Sequence, residues 1–129
     1  MNELPRIISV DDHVIEPPHV WEKWLPARYR DLGPRVERVR GEARFLKRRQ
    51  VFKETSDGDW ADVWVFDGMA MPIVGGFASA GTDKREADNA PMLFDEMRRG
   101  AFDQKARLED MDTNHTEASL AFPTFPRFC

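Results

Sequence analysis

Two apolar runs near the ends of the chain constrain the fold more than anything between them. The first is "RIISV", Arg6 to Val10. It is short, rich in β-branched residues and without a 3.6-residue period, so it reads as a strand. The second is "EASLAFPTF", which follows directly on "FDQKARLEDMDTNH". In that preceding stretch Asp103 is placed to cap a helix, and Leu108 and Met111 lie three apart. Asn114 suits a left-handed stop. Strand, helix, short turn and strand make a βαβ unit, and parallel strands need such a crossover. The pattern predicts parallel strands near residues 6–10 and 119–122, adjacent or nearly so.

The long stretch between the two runs reads as an excursion with its own hairpin. "IEPPHVWEKWLP" places Val20, Trp21, Trp24 and Leu25 at helical spacing between prolines, which suits a short helix. "ADVWVFDGMAMPIVGG" is two apolar runs around Asp67-Gly68, a pair that favours a tight hairpin turn. An antiparallel sheet over residues 36–40 and 61–74 is predicted, within an insertion spanning about residues 34–75. Trp60, Trp64 and Phe66 read as hairpin packing, and the two tryptophans are candidates for burial against a second chain. "GGFASAGTDKREADNAP" reads as a long loop.

Charge narrows the choice of partners. The 129 residues carry 19 basic and 23 acidic side chains, a net charge of −4, which argues against a nucleic-acid protein. The segment Arg28–Lys53 is locally basic. Lys47, Arg48 and Arg49 are adjacent and cannot share a face, and no aromatics alternate with them as single-strand readers require. A solvated ribbon is the simpler reading. No apolar run is long enough to span a membrane, and the N-terminus lacks the marks of a signal peptide. The lone cysteine, Cys129, makes no intramolecular disulfide. A reducing, cytoplasmic setting is expected. The apolar end "SLAFPTFPRFC" reads as a chain cut in mid-domain.

Chemistry concentrates in "IISVDDHVIEPP". Asp11 and His13 are two apart, and in a strand such residues point to one side. A carboxylate and an imidazole then project together, a two-pronged grip for a divalent ion that accepts oxygen and nitrogen ligands. Asp12 points the other way. On spacing alone, a capping aspartate and a surface histidine are the preferred reading of the pair.

"ISVDDHVIEPPHVW" resembles the opening of the amidohydrolase-related family of metal-dependent hydrolases, which also contains aromatic-acid decarboxylases. "FDEMRRGAFDQKARLEDMD" and "ASLAFPTFPRF" are similar to its next segments. The resemblance implies that residues 1–129 are the N-terminal part of one α/β domain, a (β/α)8 TIM-like barrel with a β-hairpin inserted after strand 1. It also implies that Asp11 and His13 are metal ligands, for zinc first and manganese second. The family's further ligands come from later strands, and His19 and His115 lack the right position to replace them. Glu16, Phe125 and Arg127 are candidate substrate contacts, Arg127 through bidentate hydrogen bonds to a carboxylate. The implied activity is hydrolysis of an amide, ester or lactone, or decarboxylation of a hydroxy-aromatic acid. The partner is a small-molecule substrate, and a homo-oligomer is compatible. Chain 1–129 alone is expected to be inactive, with the catalytic acid or base elsewhere. The rival is a non-enzymatic α+β interaction module without metal.

Overall fold

The structure is a computed structural model that describes residues 4–46, 49–83 and 89–123. In chain order its main elements are β1 (Ile7–Val14), α1 (Val20–Trp24), β2 (Arg35–Leu46), β3 (Arg49–Glu54), β4 (Asp59–Phe66), β5 (Met69–Pro72), α2 (Gly75–Ala78), α3 (Gln104–Thr113) and β6 (Thr116–Pro123). They divide into two compact units. One joins residues 1–17 to residues 98–129, and the other is the continuous stretch 18–97.

The continuous unit holds a four-stranded antiparallel sheet in the order β3-β2-β4-β5. Its centre is β4, where Ala61, Asp62, Val63 and Trp64 are all buried. Successive residues of a strand face opposite sides, so both faces of β4 are covered. The β4–β5 turn is Asp67-Gly68, with φ of 46° and 73°. Two left-handed residues in a row are the backbone a two-residue hairpin turn demands, and Gly68 adopts it without a Cβ penalty. Gly58 answers a different need. A Cβ there would stand 2.5 Å from the Gly41 carbonyl oxygen, so only glycine lets the turn lie on β2.

Among the described residues of this unit one charged group is buried. Asp62 is 3% exposed. Its carboxylate accepts from Arg38 Nε at 2.8 Å and Arg38 Nη2 at 2.9 Å, and from the Phe94 backbone N–H at 2.8 Å. Arg38 also donates to Asp95 at 2.9 Å. Ile73, Val74, Phe94 and Met97 complete the core around it. Trp64 is buried within this unit, so its burial needs no second chain, whereas Trp60 is half-exposed under the Arg40 guanidinium, 5.1 Å from its ring centroid. Along the basic ribbon Arg35 pairs with Glu37 and Arg44 with Glu42. These carboxylates offset two of the ten positive charges between Arg28 and Lys53.

In the discontinuous unit β1 and β6 pair in parallel, with α3 as the helix before β6. Asp103 caps α3, accepting from the Lys105 and Ala106 N–H groups at 3.0 Å. The left-handed residue after the helix is His115, φ 55°, and not Asn114, whose φ is −93°. Asn114 instead turns its amide back to donate to the Asp110 carbonyl.

The barrel expectation is overturned. Among the described residues the parallel sheet has two strands, and the larger sheet is antiparallel. Barrel strands bury their side chains inside the closed sheet and beneath a ring of helices. Here Ile8 and Val10 are 65% and 66% exposed, and Ile7, Leu120 and Phe122 are also exposed. The fold is a small α/β arrangement with one parallel and one antiparallel sheet. The strands of the antiparallel sheet span residues 35–72, inside a continuous unit that runs from Pro18 to Met97. No helix among the described residues is long and apolar enough to cross a membrane.

Candidate functional site

β1 does not stop at Val10 but continues through Asp11, Asp12 and His13 to Val14. Its pairing explains how polar residues fit there. Ser9 lies opposite Ser119, and Asp12 opposite Ala121. Three steps along β1 match two along β6, so β1 carries one extra residue at Val10-Asp11, a β-bulge. An opposite irregularity lies earlier, where Ile7 matches Thr116 and Ile8 matches Ala118. The two cancel, and the strands leave the pair in the register in which they entered it.

Beyond the bulge Asp11 and His13 project together. His13 Nε2 stands 3.8 Å from Asp11 Oδ1, and the two side chains are 65% and 85% exposed. The imidazole leans on Phe122, its register partner, with ring centroids 6.2 Å apart. Two donor atoms on one tetrahedral zinc, each at a bond length of about 2.0–2.1 Å, stand roughly 3.3 Å apart. A small side-chain rotation closes the difference. Nitrogen and carboxylate oxygen are also the donor types that zinc and manganese accept. The pair therefore fits a divalent ion as two ligands. Among the described residues no group of three or more His, Cys, Asp or Glu side chains gathers to hold one.

Asp12 takes the opposite role. Its Oδ1 accepts from Ser9 Oγ at 2.7 Å, and its Oδ2 accepts from Ser119 Oγ and from Arg107 of α3. Hydroxyl donation from Ser119, then from Ser9, and then the Arg107 charge hold this carboxyl below the usual carboxylate range, against the pull of partial burial. Asp110 is held low as well, chiefly by hydrogen bonding from Arg98.

A pH dependence follows for this unit. A depressed carboxyl binds fewer protons folded than unfolded, so it adds stability above the unfolded pKa, about 3.9 for aspartate. That stability is lost as pH falls through the lower folded values. Protection factors of the β6 amides, taken relative to intrinsic exchange at each pH, should therefore hold down to about pH 4 and fall below it. In Asp12→Asn the step should shrink. An unchanged acid limb in that variant would contradict the assignment to Asp12.

The other expected residues fall outside this arrangement. Glu16 lies two residues past β1, half-buried, with its Oε2 shielded from solvent. Phe125 and Arg127 lie outside the described residues. His19 is exposed and belongs to the other unit, and His115 precedes β6, at the opposite end of the parallel pair from His13. The sequence reading missed Arg107, Ser9 and Ser119 entirely. Ser9 and Asp12 are three apart, which a regular strand would place on opposite faces, so no local pattern announces their contact.

No known family model matches the chain. A search of curated proteins likewise returned no match. The family resemblance rests on the motif residues alone.

Proposed function

We propose that this chain contributes two ligands, Asp11 and His13, to the divalent-metal site of a metal-dependent hydrolase or decarboxylase similar to the amidohydrolase-related family. The observation that supports it is the single geometry of the pair: carboxylate and imidazole 3.8 Å apart on one strand face. None of this requires a barrel. Zinc is the first candidate and manganese the second. A bound divalent ion would polarise a substrate oxygen and acidify water.

The chain's own residues do the holding. Asp11 brings a negative charge toward the ion, and His13 brings a neutral nitrogen donor braced by Phe122. Two donors alone hold an ion weakly, because closed zinc sites use four and catalytic ones three. Further ligands would come from outside the described residues. The substrate is a small molecule with an amide, ester, lactone or hydroxy-aromatic acid group, and Glu16 would help position it. The lone cysteine fits a cytoplasmic setting. The test is zinc and manganese titration of the chain followed by NMR, with shifts or broadening expected first at Asp11 and His13. Binding that maps elsewhere would refute the reading.

A further inference from the structure

We infer that Asp12 is the positioning residue of the Asp11–His13 pair, and that its clamp helps to fix which face of the strand presents the two donors. The inference rests on the metal-ligand reading above. It starts from the bulge.

Regular alternation would put Ser9, Asp11 and His13 on one side of β1. The structure instead puts Ser9 and Asp12 on one side, joined by a 2.7 Å hydrogen bond. Only the extra residue at Val10-Asp11 makes that possible. Burial follows the same shifted pattern: Ser9, Asp12 and Val14 are half-buried, while Asp11 and His13 are exposed. Ser119 and Arg107 hold Asp12 from β6 and α3. Bulges next to functional sites re-aim side chains in this way.

The alternative register is well defined. If β1 ran on from Ser9 opposite Ser119 without the bulge, Asp12 would face Phe122 and His13 would face Pro123. A one-residue slip moves every following side chain to the other face. Asp11 and His13 would then join Ser9 on the side toward Arg107, and the pair would be lost as an open grip. Of the apolar residues that follow the bulge, Val14 is half-buried and Ile15 is 3% exposed, so their burial favours the observed register as well. The carboxylate of Asp12 adds to this the hydrogen bonds that pin the strand at the point where Asp11 and His13 turn outward.

The experiment uses the whole 129-residue chain, labelled for NMR, with zinc as the probe. Asp12→Ala, Ser119→Ala, Asp11→Asn and His13→Gln are compared at a temperature where thermal melts show each to be folded. Asp12→Ala should weaken zinc binding by about tenfold, the lower end of the loss seen when outer partners of a metal site are removed. The contact between the His13 and Phe122 rings should weaken in the same variant, with new contacts from His13 to Pro123. A purely structural role would lower the melting temperature but leave the affinity of the folded chain and the ring contact unchanged. That result would overturn the inference. If Asp12→Ala does not fold, Ser119→Ala carries the test. It removes a single hydroxyl and should show the same two changes in smaller degree, and their absence would overturn the inference equally. Unchanged zinc binding in Asp11→Asn and His13→Gln would instead refute the metal reading. The ring contact would still report, separately, whether Asp12 sets the register.

Discussion

Asp62→Ala should destabilise the antiparallel unit by about 3 kcal/mol, the low end of the cost of breaking a buried ion pair. Two losses add up to it. The Phe94 N–H, buried with its residue, loses its acceptor, and a buried donor left unsatisfied costs roughly 1–3 kcal/mol. Arg38 loses both of its hydrogen bonds to the carboxylate. Its side chain is 46% exposed and keeps Asp95, so water and that second partner soften the loss. Asp62→Asn should cost less, because an amide oxygen still accepts from the Phe94 N–H. Urea unfolding followed by tryptophan fluorescence, which arises wholly from this unit, measures both. An Asp62→Ala midpoint equal to wild type would mean that the network contributes nothing to folding.

His13→Ala should reduce zinc binding by about a hundredfold or more. Outer partners of metal ligands commonly cost 10–100-fold when removed, and a direct donor should cost at least the top of that range. With the imidazole gone, one exposed carboxylate remains, and Asp12 cannot substitute while Ser9, Ser119 and Arg107 hold it. Stability should change little, since the His13 side chain is 65% exposed. Calorimetric zinc titration with a parallel thermal melt separates the two effects. Full zinc affinity in His13→Ala would return the pair to ordinary surface duty.

Much of the local structure was legible in the sequence. Asp67-Gly68 announced its turn because few residues adopt two successive left-handed conformations. Asp103 announced its cap because a short carboxylate is suited to the free N–H groups of a first helical turn. The parallel pairing of β1 with β6 followed from the helix between them. What the sequence could not show was sheet size. A short β-branched run looks the same in a two-stranded sheet as in a closed barrel, and the barrel expectation came from motif likeness, not from the run itself. The something that holds the polar Asp11-Asp12-His13 end of β1 was also hidden. Here that something is Arg107, ninety-five positions away, and no spacing rule connects the two.

The division of the chain has a kinetic consequence. The antiparallel unit is continuous, and its β4–β5 hairpin closes over two residues, an event on the microsecond scale. β1 finds β6 only after closing a loop that contains the whole of residues 18–97. The entropy of that closure grows slowly with length but must be met before any contact rewards it. The clamp on Asp12 is therefore expected to assemble after the sheet, which stopped-flow refolding with a probe on β6 would check. All four tryptophans, Trp21, Trp24, Trp60 and Trp64, lie in the continuous unit. Their fluorescence is a clock for the sheet and is blind to the moment when the aspartate and histidine come into line.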